Sequence, residues 1–138
     1  LSENEIDESI YDAMLLSVDV AHALHPNKKE KMDITNMPVM GKGFCIKQAC
    51  SQSYATDAQA IAILCQLCDE KGIPYQRFVN RSDSRGGSTL GSIAGTLLPV
   101  KTVDIGIPIL AMHSACELMG VRDMKALSDC VTAFFGYH

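Results

Sequence analysis

The chain has 138 residues, of which 47% are hydrophobic, and it carries a formal net charge of -4 at pH 7. This length suits one domain with a single core, and the hydrophobic fraction excludes an intrinsically disordered protein. The acidic balance and the scattered basic residues argue against a surface that binds nucleic acid. Every apolar run in the sequence is shorter than the ~18 residues that a membrane-spanning helix needs.

The first part of the chain predicts one helix and two strands. Ser2 and Glu5 have the spacing of a capping box, which predicts a helix over residues 2–12. The apolar segment 14–20 predicts a buried strand. Residues 44–47 predict a second, shorter strand after a long polar loop.

The clearest helix is predicted over residues 55–71, and Gly72 follows it in the position of a C-terminal cap. Two of the six cysteines, Cys65 and Cys68, form a CxxC pair within this helix. We interpret them as small buried residues, because no second CxxC or histidine pair lies nearby; a redox or metal-binding role is the alternative. Reduced thiols are typical of a cytoplasmic protein.

The second part of the chain alternates strands with helices. In order, the sequence predicts a strand over 75–80, a polar loop over 81–87, a helix over 88–97, a strand over 101–105 ended by a glycine and a proline, and helices over 114–119 and 122–135. Such alternation predicts an α/β layered fold with a mostly parallel sheet, in a single domain over residues 1–138.

Ionisable side chains follow the predicted strands. Asp19 lies near the end of the first strand and His22 just after it, Asp83 follows a later strand, and Asp104 and His113 flank the turn after the next. Because ligands gather beyond the carboxyl ends of strands in open α/β sheets, we expect Asp19, His22, Asp83 and His113 in one crevice. Zinc accepts such oxygen and nitrogen ligands. The spacing alone also fits a hydrogen-bonded structural histidine and an aspartate that caps or forms a salt bridge.

Five motifs give these residues a family context. They are SVDVAHALHPN at 17–27, GFCIK at 43–47, QSYAT at 52–56, RSD at 81–83 with GSTLG at 87–91, and DIGIP at 104–108 with LAMHS at 110–114. In this order and spacing they resemble the C-terminal part of an aspartyl aminopeptidase or aminopeptidase I type metallopeptidase. The resemblance implies a layered helix-sheet-helix zinc exopeptidase-like fold. It also implies an enzyme that uses two zinc ions to release N-terminal amino acids from peptides.

The same resemblance assigns roles to five side chains. Asp19 and His113 correspond to ligands of the two different zinc ions. His22, Lys47 and Tyr54 correspond to residues that line the substrate site. Without the resemblance, Lys47 would be read as a base that extends its amine towards solvent, and Tyr54 as an aromatic residue at the edge of the core.

Other parts of the family's site are not found in this sequence. The family's further histidine, its bridging aspartate and its Glu-Glu pair, which includes the general base, precede the Asp19 motif, and the acidic helix before residue 14 lacks their pattern. We therefore expect residues 1–138 to be the C-terminal portion of a catalytic domain, without a catalytic base or the family's dimerisation domain. The expected partners are peptide substrates, the missing N-terminal part and further copies in a homo-oligomer, but neither nucleic acid nor a membrane.

Two motif departures affect substrate choice. The tyrosine of the family's motif His-Pro-Asn-Tyr is replaced here by Lys28. The arginine of its motif Gln-Arg-Tyr is replaced by Ser53. Either an acidic or a neutral N-terminal residue is therefore expected to be preferred. The alternative function is a non-catalytic α/β binding or assembly module that is derived from such a peptidase.

Overall fold

A computed structural model of the chain describes residues 2–84 and 86–136. Arg85, within the predicted loop 81–87, lies outside the described residues. The elements are, in chain order, α1 (Glu3–Asp12), β1 (Met14–His22), a short 3-10 turn (Lys29–Lys31), β2 (Phe44–Gln48), α2 (Ala58–Lys71), β3 (Tyr75–Val79), α3 (Leu90–Leu97), β4 (Lys101–Leu110), β5 (Leu118–Met119) and α4 (Val121–Phe135).

Local capping determines where the first two helices begin and end. The Ser2 hydroxyl accepts a hydrogen bond from the backbone N–H of Glu5, whose carboxylate accepts one from the Ser2 N–H, so the predicted capping box is confirmed. The Asp57 carboxylate caps α2 by accepting from the Ala60 N–H at 2.8 Å. Gly72 ends α2 with φ 65°, the left-handed conformation that glycine adopts without a Cβ penalty.

The five strands form one mixed sheet rather than the mostly parallel sheet that the sequence predicted. Strands lie in the order β1-β4-β2-β3, with β5 paired to β4. β1 is parallel to β4 and β2 is parallel to β3, but β4 runs antiparallel to both β2 and β5. The alternation of strands and helices does not specify strand direction, because β4 inserts between β1 and β2 after α3 has crossed the sheet.

The sheet separates two apolar layers, which confirms the layered α/β class. On one face, α2 and α4 pack on the sheet and on each other around the main core. Its fully buried side chains include Phe44, Ile46, Leu64, Val103 and Ile105. The opposite face carries α3 and a smaller buried cluster, formed by Ala21, Met32, Cys45, Ala49, Tyr54 and Phe78.

Two predicted boundaries near the end of the sheet are wrong. β4 continues through Pro108 to Leu110, because its ladder with β2 stops at Gly106 and the missing proline N–H is not needed there. Residues 114–119 are not helical. The turn before them contains Ala111 and His113 at positive φ, and it directs the chain back along β4 as the short strand β5.

Cys65 and Cys68 lie in a helix, as the sequence predicted. All six lie in the described residues, and no disulfide joins them. Cys68 is fully buried, Cys65 is partly buried, and the Cys68 thiol lies 3.8 Å from that of Cys130 where α2 packs on α4. Across residues 2–84 and 86–136, the helices are all too short or too polar to cross a membrane.

An apolar surface remains exposed beside β1. This strand forms one edge of the sheet, and α3 lies over it with Leu90 80% exposed, Ile93 53% exposed and Leu97 76% exposed. Val18 on β1 is itself 49% exposed. Clusters of exposed apolar side chains typically mark a surface that another segment or molecule covers.

The approach of α3 to the sheet generates a stability prediction. A Cβ at Gly91 would lie 2.7 Å from the Ser17 Cβ and 2.8 Å from Asp104 Oδ1, whereas a Cβ at Gly95 of the same helix would meet nothing within 4 Å. We expect Gly91→Ala to lower the free energy of unfolding by ~1–3 kcal/mol through overpacking. Gly95→Ala should raise it by ~0.5–1 kcal/mol through helix propensity. Urea denaturation of both variants measures the difference, and equal effects would contradict this packing.

Candidate functional site

β1 carries two of the predicted site residues at its C-terminal end. Asp19 pairs with Gly106 of β4, and a Cβ at Gly106 would lie 2.9 Å from the Asp19 carbonyl oxygen. Glycine at this position therefore allows the two strands to approach closely beside the acid. The Asp19 side chain is 52% exposed, so its carboxylate is accessible to a ligand.

Lys47 of β2 is the buried cation of the site, with only 2% of its surface exposed. Its Nζ donates to the Val20 carbonyl oxygen at 3.0 Å and lies 3.5 Å from Asp19 Oδ2. The same Nζ lies 4.8 Å from the centroid of the Tyr54 ring, within range of a cation–π interaction. These three partners compensate for the loss of hydration that burial of an ammonium group costs.

Tyr54 lies in the loop before α2 and is almost fully buried. Its ring packs against Phe78 with centroids 6.1 Å apart, and its hydroxyl accepts a hydrogen bond from Asn80 Nδ2 at 3.2 Å. The sequence reasoning missed Asn80. As the first residue after β3, it lies at the same kind of strand end that identified Asp19, so the same rule could have found it.

His113 lies in the tight turn after β4, in the left-handed region with φ 69°. Its backbone N–H donates to Glu117 Oε1 at 2.6 Å, and the Ser114 N–H donates to the Ala111 carbonyl oxygen. The turn thus restricts the backbone of His113, the residue that carries the imidazole, to few conformations.

All five predicted site residues line one cavity of about 150 Å³, here called the central cavity. Asp19, His22, Lys47, Tyr54 and His113 contribute to its wall. The remaining wall consists of Val20, Ala21, Phe78, Gly87, Ser88, Thr89 and Met112. The fold therefore brings together side chains that are up to 94 positions apart, the separation between residues 19 and 113.

A second cavity of about 310 Å³ adjoins the central cavity and shares His22, Tyr54, Phe78 and Gly87 with it. We call it the lysine-lined cavity, because Lys28 and Lys31 of the long loop contribute to its wall together with Arg81. Asp33 is the acidic residue in this wall. The basic side chains therefore outnumber the acidic one around this space.

Two aspartates that the sequence associated with the crevice lie elsewhere. Asp83 pairs with Arg81 on an exposed loop and lines neither cavity, because the short loop directs its side chain to the guanidinium. Asp104 does not flank a turn, since β4 extends six residues beyond it. It is fully buried beneath the wall of the central cavity.

The electrostatics of the cavity act on His22. Burial is the main cause that lowers the pKa of this imidazole below its ordinary value of 6.5, and the nearby His113 and Lys47 lower it further. A neutral imidazole is therefore favoured at neutral pH, and it can donate or accept a hydrogen bond.

A sequence profile of the Aminopeptidase I zinc metalloprotease (M18) family matches residues 2–135. The chain belongs to the M18 aminopeptidase family. This confirms the family that the five motifs indicated.

Individual relatives agree with the assignment. The chain is 53% identical over 111 residues to a probable M18 family aminopeptidase 2 of Clostridium novyi, covering 80% of this chain and 26% of that protein. It superposes on the structure of a complex of Ape4 and Nbr1 with a TM-score of 0.94, at 34% identity, over 97% of this chain and 26% of that one.

The structure of an S. cerevisiae mApe1 dodecamer matches with a TM-score of 0.81 at 26% identity, over 92% of this chain and 27% of that one. This M18 chain thus spans between about a quarter and a third of the length of the curated relatives it matches.

The donor set of the central cavity fits part of a zinc site. Asp19 and His113 supply the carboxylate oxygen and imidazole nitrogen that zinc takes as ligands. Among residues 2–84 and 86–136, no group of three or more histidine, cysteine, aspartate or glutamate side chains is positioned to hold a metal ion.

The lowered pKa of His22 gives a titration prediction for the metal-free chain. NMR titration in the presence of a chelator should place the His22 pKa below 6.5. His113→Gln should raise it only part of the way, because burial is the larger cause. Since the unfolded chain binds this proton more tightly, His22 contributes full stability above pH 6.5, and that contribution falls as the pH is lowered below it. A His22 pKa at or above 6.5 would contradict the geometry.

Proposed function

We propose that residues 1–138 are the C-terminal portion of the catalytic domain of a zinc-dependent aminopeptidase that releases N-terminal amino acids from peptides. The observation that carries the proposal is the convergence of Asp19, His22, Lys47, Tyr54 and His113 on the central cavity in a member of the M18 family. The share of each relative that the chain spans and the exposed apolar surface beside β1 support a portion of a larger domain.

Asp19 and His113 would each hold one of two zinc ions. Lys47 contacts Oδ2 of Asp19, which fixes the orientation of the carboxylate while half of this side chain stays accessible from the cavity. The hydrogen bonds of the turn at residues 111–114 fix the backbone from which the His113 imidazole projects. When bound, a zinc pair supplies an activated water and polarises the scissile carbonyl group.

The other three residues would bind the substrate. The Lys47 ammonium can attract the developing negative charge on the carbonyl oxygen, because it is buried away from bulk water, where such interactions are strong. Neutral His22 can donate a hydrogen bond to the same oxygen. Tyr54 supplies an aromatic wall whose hydroxyl is already held by Asn80.

The lysine-lined cavity would accept the side chain of the N-terminal residue. Lys28, Lys31 and Arg81 line it together with Asp33, but Arg81 pairs with Asp83 and Lys28 lies 3.8 Å from Glu30. The proposed preference for an acidic side chain over a neutral one therefore rests chiefly on Lys31. Met32 and Phe78 provide apolar contacts in the same wall.

A non-catalytic assembly module is the second candidate. The convergence of five polar side chains on one cavity, in a member of the M18 family, favours the peptidase over the module. We further propose that the whole protein works in the cytoplasm as a homo-oligomer, in line with the dodecameric relative.

The isolated chain should show no robust zinc-dependent hydrolysis of aminoacyl anilides, because it supplies only two of the proposed ligands. Isothermal titration should likewise show zinc binding weaker than that of a site with four protein ligands. Robust zinc-dependent turnover by the 138 residues alone would overturn the proposal that part of the zinc site lies outside this chain.

A chimera tests the function itself. We would replace the matching segment of the C. novyi M18 aminopeptidase 2 with this chain. The chimera should bind two zinc ions and hydrolyse aspartyl p-nitroanilide faster than leucyl p-nitroanilide. Asp19→Asn and His113→Gln should each remove one zinc and lower activity by at least ~100-fold, since even the outer-shell partners of metal ligands contribute ~10–100-fold.

Asp129→Asn is the matched control for these variants. Asp129 pairs with Lys125 on the exposed face of α4 and lines neither cavity, so this variant should keep both zinc ions and full activity. A folded chimera that binds zinc without hydrolysing either substrate would favour the assembly module. Full zinc content and activity in Asp19→Asn and His113→Gln would exclude these residues as ligands.

A further inference from the structure

Asp104 is the fully buried carboxylate behind the central cavity, and it lines neither cavity. It lies in the middle of β4, opposite Ser17 of β1 on one side and Lys47 of β2 on the other. Paired residues of neighbouring strands place their side chains on the same face of a sheet. Asp104 therefore occupies the sheet face that carries the site.

The carboxylate joins two segments that are not neighbours in the sequence. Its Oδ2 accepts a hydrogen bond from the Ala55 backbone N–H at 2.5 Å and another from the Thr89 hydroxyl at 2.7 Å. The N–H of Ala55 belongs to the peptide bond that follows Tyr54. Thr89 precedes α3, and its own N–H donates to the Ser53 carbonyl oxygen at 3.2 Å.

The Thr89 hydroxyl is used in an unusual way for its position. A threonine at the N-cap of a helix ordinarily accepts a hydrogen bond from the helix backbone, but here α3 has no side-chain cap. The hydroxyl instead donates to Asp104. The Thr89 side chain therefore does not cap α3 but links the start of this helix to β4.

The second carboxylate oxygen strengthens the case that Asp104 has a specific role. Within the described residues, Asp104 Oδ1 is buried without a hydrogen-bond partner. Gly91 lies so close that a Cβ there would be 2.8 Å from this oxygen. A buried unpaired oxygen is destabilising, so its presence is better explained by the segments that the carboxylate orders than by stability.

We propose that Asp104 is a positioning residue that holds the Tyr54 ring under the Lys47 ammonium and fixes the wall of the central cavity at Gly87, Ser88 and Thr89. Asp104 anchors the peptide after Tyr54, while Asn80 and Phe78 hold the ring at its other end. With both ends held, the ring stays 4.8 Å from Lys47 Nζ. The relevance of this arrangement to substrate binding rests on the proposed function, but the positioning itself does not.

NMR on the 138-residue chain with isotope-labelled lysine tests the inference. The ring current of Tyr54 should shift the Lys47 side-chain signals upfield, and Tyr54→Leu should abolish that shift. Asp104→Ala should remove most of the shift and speed hydrogen exchange of the Ala55 amide by about tenfold. Asp104→Asn keeps an oxygen that can accept the same two hydrogen bonds, and it should restore most of the wild-type signal.

A second pair of variants applies if Asp104→Ala does not fold. Thr89→Val removes one of the two donors, whereas Thr96→Val alters an exposed hydroxyl on α3 that bonds only to Ile93 of its own helix. Thr89→Val should reduce the Lys47 shift and Thr96→Val should not. Equal Lys47 signals in both, or an unchanged Lys47 shift and Ala55 exchange rate in folded Asp104→Ala, would overturn the proposal. Loss of the Lys47 shift in Asp104→Ala, together with an inactive chimera, would confirm that Asp104 positions Tyr54 and would refute only the peptidase function.

Discussion

The site depends on the burial of a single ammonium group, that of Lys47. A lysine amine in the middle of a sheet is stable only when carbonyl, carboxylate and aromatic groups replace its hydration shell. Here these groups come from β1 and from the loop before α2, so the amine fixes the distance between two elements that do not pair with each other. Asp19 gains its orientation from the same contact, which makes the candidate ligand and the candidate substrate-binding residue parts of one unit.

The mixed direction of the sheet explains how a site forms at this place. β1 and β4 run parallel, and both carry site residues at or just beyond their C-terminal ends, namely His22 on one and His113 after the other. β2 runs the opposite way and delivers Lys47 from its own C-terminal half. Residues from strands of opposite direction thus line the same cavity.

The sequence could predict the local features that follow from short-range chemistry. The capping box at Ser2, the glycine at the end of α2 and the strand before Asp19 were all visible as patterns within a few residues. The prediction that this strand is buried is wrong, because β1 lies at the edge of the sheet and residues 14–20 are partly or fully exposed. The grouping of Asp19 with His113 was also accessible, because ordered motifs carry information about folding that spacing alone does not.

Other features could not be predicted, because they depend on long-range contacts. Strand direction, the continuation of β4 through Pro108 and the fold of residues 114–119 depend on which strand lies alongside and where its ladder stops. Asp104 illustrates the same limit at the site. As a single acid in an apolar run it has no pattern, and its role becomes visible only through the two donors from distant segments.

The turn that carries His113 has a consequence for how the protein can change over evolutionary time. Ala111 and His113 both adopt left-handed backbone conformations, which cost a non-glycine residue roughly 1–2 kcal/mol each. Random substitution to glycine would relieve this strain at either position. At position 111 such a change removes only a methyl group, whereas at 113 it removes the imidazole. With His113 as the proposed zinc ligand, selection for thermal stability and selection for chemistry oppose each other at this residue.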